Sequence, residues 1–221
     1  GGGGFMIIHL NNPDLKLNTS IDYREKAPLS SFKDMYLDDS GNVIDELSTT
    51  GSLAAGVPGS VAGMLYALEK YGTMNRKEIL EYSVNIADTG FFIEEGLADA
   101  LNSYQSEFMQ FPGTMNTFGG KFKTGDRLVQ KELANTLKRI SEKGRDGFYR
   151  GETADKIVQL MKNTDGIISY EDLERYQPVE RDVIKGTYRG YDIISMGPPS
   201  SGGISLIYLL NILKNYDISK S

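Results

Sequence analysis

The sequence predicts an α+β or layered α/β fold, on three observations. An apolar run near the start is joined by a turn to a second strand-like segment. A long middle stretch repeats apolar residues at helical spacing. A later stretch, "VERDVIKGTYRGYDIISM", alternates and is rich in β-branched residues before a last apolar helix. The chain order is strand pair, helical block, strand pair, helix. One domain is expected over residues 1–221, with a strand hairpin and loop in 1–56, a mainly helical block in 57–165, and a strand hairpin and helix in 166–221.

Phe5 to Leu10 reads as the first strand. "NNPD", Asn11 to Asp14, supplies proline and Asn/Asp for a turn, and Leu15 to Arg24 reads as the returning strand. Pro28 ends it, because proline cannot donate to a ladder. Ser30 to Gly51 is polar and irregular. In "GVPGSVAGMLYALEKYG", Ser60 is the expected N-cap, Val61, Leu65 and Leu68 share a face, and Gly72 closes the helix. Asn75 with Glu78 three residues on resembles a capping box for a helix from Arg76 to Asp88. Further helices are expected over Ile93 to Tyr104, Arg127 to Lys143 and Glu152 to Lys162, with a glycine- and phenylalanine-bearing loop from Phe111 to Gly125. Leu128, Leu133, Leu137 and Ile140 are the expected buried face of the second of these, and Ile157, Leu160 and Met161 that of the third. Ser169 caps a short helix through "SYEDLERY". Strands are expected over Val179 to Lys185 and Tyr191 to Met196, and a helix over Ile204 to Asn215.

Composition bounds the function. The 221 residues carry a net charge of -6, with Lys and Arg scattered, which argues against a nucleic-acid partner. No apolar run approaches the ~18 residues of a membrane helix, so no membrane span is expected. With no cysteine, disulfides, thiol catalysis and cysteine-ligated zinc are excluded. The single histidine, His9, alternates with apolar neighbours in "MIIHL" and reads as structural; a multi-histidine metal site is impossible. No metal and no cofactor are expected. The opening glycine run lacks both an initiator methionine and a targeting segment, and reads as the start of a fragment.

Few stretches offer chemistry. "GGGG" precedes a strand rather than a helix and lacks a P-loop lysine, so close backbone approach is the better reason for its glycines. "GPPSSGG" could present open amides to an anion, with Ser200 and Ser201 as caps; a capped helix entry is the favoured reading. Asp38, Asp39, Asp45 and Glu46 do not match a calcium loop, and a solvated loop is favoured. Thr49 and Thr50 read as a turn. Arg24, in "IDYREKAP", is a fixed cation at a strand end. A guanidinium there suits bidentate capture of a carboxylate, with Asp22 and Glu25 placed to orient it, although a surface ion pair is the commoner use.

Six blocks carry a resemblance: "GGGGFMII", "IDYREKAP", "AAGVPGSVAGMLYALEKYGTM", "GFYRGETADKIV", "GIISYEDLERYQ" and "GYDIISMGPPSSGGISLIYLLNILKNYD". In order and spacing they resemble the large subunit of the gamma-glutamyltranspeptidases, over essentially the whole chain. The resemblance implies part of an N-terminal nucleophile hydrolase fold, whose complete form is a four-layer αββα sandwich with strands from both subunits. It implies a gamma-glutamyltransferase or glutathione hydrolase that acts through an acyl-enzyme, with water or an amine or amino acid as acceptor. The nucleophile is a threonine at the start of a small subunit, made by self-cleavage and lying beyond these residues. Its own α-amine can serve as the base. The arginine of the "YRE" motif, which binds the donor's α-carboxylate, is Arg24 here. The partners implied are a glutathione-like donor and the small subunit, in a periplasmic or extracellular location. A same-fold acylase or poly-gamma-glutamate enzyme, and a non-catalytic scaffold, are the alternatives. With the nucleophile elsewhere, residues 1–221 alone are expected to be inactive. A gamma-glutamyl anilide assay on the isolated segment should show no turnover, and robust turnover would refute the reading.

Overall fold

The structure, a computed structural model, describes residues 2–13 and 15–217. The first two strands form the expected hairpin. β1 (Phe5–Asn11) pairs antiparallel with β2 (Lys16–Asp22), with Phe5 opposite Asp22 and Asn11 opposite Lys16. Asp14 of the expected turn lies outside the described residues. β2 is shorter than expected, because the Asp22 carboxylate accepts a hydrogen bond from the Arg24 N–H (3.1 Å) and turns the chain out of the ladder. Helix α1 (Ser60–Tyr71) follows. Its cap is not the Ser60 side chain. The carbonyl of Gly2 instead accepts from the N–H groups of Gly59 (2.7 Å) and Ser60 (3.2 Å), serving donors that the helix start leaves unpaired.

The chain divides into two compact units, one of residues 1–72 with 154–221, the other of 73–153. The helical block expected over 57–165 therefore has residues in both. The second unit opens with α2 (Arg76–Thr89), capped by Asn75 Oδ1, which accepts from the Lys77 N–H at 2.8 Å. Next come β3 (Phe91–Phe92), α3 (Glu95–Ser103), α4 (Gln105–Phe108), α5 (Pro112–Phe118) and β4 (Arg127–Leu128). α6 (Lys131–Lys143) packs on α2, and α7 (Asp146–Tyr149) closes the unit.

Three expectations fail in this unit. The segment 111–125 is not all loop: Pro112 starts a helix, its fixed φ suiting the first turn. The helix expected from Arg127 begins at Lys131, since Arg127 and Leu128 pair instead with Phe92 and Phe91. Leu128 therefore packs with Ile93, Ala98 and Leu101, while α6 buries Ala134 and Ile140 and leaves Leu133 exposed.

The chain re-enters the first unit within α8 (Gly151–Asn163), which buries Ala154, Val158 and Met161 and exposes Leu160. α9 (Tyr170–Arg175) is capped by Ser169 as expected, and the cap is a full capping box with Asp172 as its reciprocal partner. The strand expected over Val179 to Lys185 is two strands. β5 (Val179–Arg181) joins β2, giving a three-stranded sheet in the order β1-β2-β5. After Asp182, β6 (Val183–Tyr188) pairs with β7 (Tyr191–Met196) as a separate hairpin. α10 (Gly202–Leu213) packs on that hairpin. Mixed helix and sheet, with a helical stretch between two strand groups, is the α+β order expected.

Ile93 is 2% exposed at the centre of its cluster. Ile93→Ala should destabilise by about 2–5 kcal/mol, from lost burial plus the cavity. Urea denaturation followed by circular dichroism of the helices checks it, and a cost below about 1 kcal/mol would show the cluster to be loosely packed.

Candidate functional site

Arg24 sits just past the end of β2, in the segment 23–29, and that segment is tied down along its length. The Tyr23 N–H donates to the Gly4 carbonyl (2.9 Å). Lys26 and Val57 exchange both backbone hydrogen bonds (3.2 and 2.8 Å). The Tyr176 hydroxyl donates to the Arg24 carbonyl (2.7 Å), and the Leu29 N–H donates to Asp172 Oδ1 (2.6 Å). Tyr176 and Asp172 are both buried, so these anchors are shielded from competing water.

Glycine is required where the backbones cross. A Cβ on Gly3 would fall 2.3 Å from Arg24 Cα and 2.4 Å from Glu25 N, closer than any side chain is tolerated. A Cβ on Gly59 would fall 2.1 Å from both the Tyr23 carbonyl oxygen and the Tyr176 hydroxyl. Close approach, the sequence-based reason for the opening glycines, is therefore seen at Gly3. Gly1 lies outside the described residues.

The Arg24 guanidinium is half-exposed and has two neighbours. Asp22 Oδ1 is 3.7 Å from its Nε, an ion pair rather than a hydrogen bond. The Phe5 ring lies beneath it, 5.2 Å from its central carbon to the centroid, a cation–π contact worth about 0.5–1 kcal/mol at an exposed site. Its two terminal nitrogens have no hydrogen-bond partner among the described residues. Of the two acids expected to orient it, Asp22 forms an ion pair with it and Glu25 forms none among the described residues.

On the opposite face of β2 and β5 lies a cluster that sequence reasoning missed. Glu180 accepts from four donors: Lys70, the Tyr71 hydroxyl (2.5 Å), the Tyr66 hydroxyl (2.9 Å) and the Thr19 hydroxyl (3.0 Å). Hydrogen bonds from Lys70 and then Tyr71 hold its carboxyl down at about 2. The same contact with Glu180 raises Lys70 above the ordinary lysine value. Tyr71 is pushed up by burial first and by Glu180 second. The cluster ties the last turn of α1 to β5. Its signal was legible in principle: Tyr66, Lys70 and Tyr71 share one face of α1 that is polar at its tip.

The remaining candidates are accounted for locally. His9 Nδ1 lies 2.6 Å from Asn18 Oδ1, its cross-strand partner. Ser200 Oγ accepts from the Gly202 N–H (3.2 Å), so one of the two expected serines caps α10; Ser201 makes no such bond. Asp38 accepts from the N–H groups of Ser40 (2.9 Å) and Asn42 (2.8 Å), an Asx-type turn, and the bonds from Asn42 lower its pKa. Thr49 Oγ1 donates to the Glu46 carbonyl (3.1 Å) within a turn. Among the described residues no group of three or more His, Cys, Asp or Glu is placed to hold a metal ion, and no helix is long and apolar enough to cross a membrane.

The mixed helix and sheet is part of an N-terminal nucleophile hydrolase fold. The family model described as gamma-glutamyltranspeptidase matches residues 1–221, and the chain belongs to that family. It is 46% identical, over 100% of its length, to the glutathione hydrolase proenzyme of Pseudomonas sp. (strain A14), and 46% identical over 100% to that of Escherichia coli (strain K12). The chain spans 38% of each of those relatives. The crystal structure of Helicobacter pylori gamma-glutamyltranspeptidase superposes with a TM-score of 0.94 at 44% identity, covering 100% of this chain and 63% of that one.

The Glu180 cluster generates a pH test. A carboxyl depressed from 4.5 to about 2 by folding contributes stability that is fully present above the unfolded value and lost as pH falls through the folded one. The stability difference between the native protein and Glu180→Gln should therefore be constant above about pH 5 and shrink steadily towards pH 2. Urea midpoints at a series of pH values measure it; a difference that stays constant down to pH 2 would show that Glu180 is not held ionised by its donors.

Proposed function

We propose that this chain is the large-subunit portion of a gamma-glutamyltransferase or glutathione hydrolase, and that Arg24 binds the α-carboxylate of the gamma-glutamyl donor. The observation that carries the reading is the state of Arg24. Its backbone is fixed at the carbonyl, at the N–H and through its neighbours, while its terminal nitrogens are left without partners among the described residues. A guanidinium presented in this way matches a carboxylate bidentately, which an ammonium does not. Family membership supports the reading, as do relatives named glutathione hydrolase proenzyme.

Within this proposal the chemistry is divided. Arg24 fixes the head of the donor, so that the distant gamma-amide meets a nucleophile at a set distance. That nucleophile is the N-terminal threonine of a small subunit, whose own α-amine takes the hydroxyl proton. Attack gives an acyl-enzyme, and water or an amine acceptor releases the glutamyl group. The small subunit also covers apolar surface. α10 exposes Ile204 (51%), Tyr208 (69%) and Leu209 (53%), a patch of the kind that marks an interface. A periplasmic or extracellular location belongs to the same proposal, on the family resemblance.

The test uses the complete, processed protein. A hydrogen-bonded charged pair is worth about 1.5–3 kcal/mol, so Arg24→Gln should raise the donor KM about 10- to 150-fold. The contact is made in ground and transition states alike, so kcat should change much less. Arg24→Lys should fall between the two. Steady-state kinetics with glutathione and a gamma-glutamyl anilide decide it, and an unchanged KM would remove Arg24 from the donor site.

A further inference from the structure

Asp22 has no role in the function as proposed so far, yet its placement is unusual. It is a carboxylate only 7% exposed, at the last residue of β2 and next to the proposed substrate-binding arginine. Its two oxygens are divided. Oδ1 accepts from the Arg24 backbone N–H (3.1 Å) and lies 3.7 Å from the Arg24 Nε. Oδ2 accepts from the Arg181 Nε at 3.0 Å. Arg181 reaches it because β5 pairs with β2, with Ser20 opposite Arg181 and Asp22 opposite Val179. Residues 20, 22 and 181 consequently share one face of the sheet. The terminal nitrogens of Arg181 likewise have no hydrogen-bond partner among the described residues.

We propose that Asp22 is a positioning residue for the donor site, setting the orientation of the Arg24 guanidinium through a buried carboxylate that it shares with Arg181. The inference rests on the reading of Arg24 given above. Three physical points support it. First, a guanidinium on a flexible stem must lose rotamer freedom to grip a carboxylate, and a fixed anion at its Nε side removes part of that cost before the donor arrives. Asp22 engages the Nε side and Phe5 one face of the ring, which leaves the terminal nitrogens as the unengaged pair. Second, the backbone hydrogen bond makes Asp22 the origin of the turn, so the same carboxylate sets both where the Arg24 stem begins and how its head is held. Third, charge counting allows it. A lone aspartate would cancel the positive field of one arginine. Shared between two, it leaves the group with one net positive charge, so an incoming carboxylate is still attracted.

The experiment compares two donors in the complete, processed protein. One is a gamma-glutamyl anilide, the other the 4-aminobutyryl anilide that lacks the α-carboxylate. Asp22→Asn keeps an oxygen for the Arg24 N–H, preserving the turn, but loses the charge and the acceptor facing Arg181. Expected is a KM about tenfold higher for the glutamyl donor, with kcat within about threefold and no change for the truncated donor, as for loss of one charge-assisted contact. In the double variant Asp22→Asn/Arg24→Gln, the loss should be no greater than in Arg24→Gln alone, because both act through one guanidinium.

Losses of equal size for both donors, or additive losses in the double variant, would mean that Asp22 only supports the fold, and the inference is overturned. If Arg24→Gln raises the glutamyl KM and Asp22→Asn leaves it within twofold, positioning fails while the reading of Arg24 stands. If Arg24→Gln itself changes nothing, both fall. Should Asp22→Asn not mature, Asp22→Glu reads the same difference. It keeps the charge but displaces it by one methylene, so a KM rise confined to the glutamyl donor supports the inference and an equal rise for both donors overturns it.

Discussion

The conformation around Arg24 depends on one backbone crossing. The chain at Gly3 passes so close to Arg24 and Glu25 that no side chain can stand between them. That contact places the Gly2 carbonyl where it can accept from the first N–H groups of α1, and the Gly4 carbonyl where it can accept from Tyr23. The first turn of α1 is thus fastened by the N-terminal segment, and its last turn by Glu180 on β5. A helix held at both ends against one sheet makes a stiff base for the segment 23–29. The arginine on that segment then needs only its own side chain to be ordered.

Much of this architecture was legible locally, and what was not legible is long-range. Asn75 and Ser169 announced their helices, because caps are decided by residues within one turn. The first hairpin followed from its two runs and the turn between them. By contrast, nothing in "VERDVIKG" says that Val179–Arg181 will pair with a strand some 160 residues earlier; the partner is distant, and the run looks like one strand. Leu128 fits the helical face of the segment after it, but pairing with Phe91 claims it for a two-residue strand. Ser60 has the chemistry of a cap, and a carbonyl from the far N-terminus supplies the acceptor instead.

The same division holds at the site. The local half was visible: Arg24 at a strand end, with Asp22 within reach. The half brought by folding was not. Arg181, Tyr176 and Asp172 come from β5, from the residue just after α9 and from α9 itself; Arg181 meets Asp22 and the other two meet the segment 23–29, each through a contact that sequence spacing does not predict. The unit of residues 73–153 has its own interior, built on Ile93, Ala98, Leu101 and Leu128, and its own terminal bonds. Arg76 donates to the Ser141 carbonyl at the end of α6 (3.1 Å), completing a helix C-terminus with a cation, as the helix dipole favours.

The passage from β5 to β6 spends a single residue, Asp182, between two different ladders. Gly186 faces Ile207 of α10, where an added Cβ would meet that side chain at 3.1 Å, while Lys185 and Thr187 are exposed. Side chains alternate strictly along a strand, so one amino acid inserted or removed at this junction would turn the following ladder inside out and drive the Lys185 ammonium towards aliphatic neighbours. The junction therefore behaves as a fixed-length spacer: it can tolerate changes of residue type, but an indel there reverses inside and outside for everything up to the next turn.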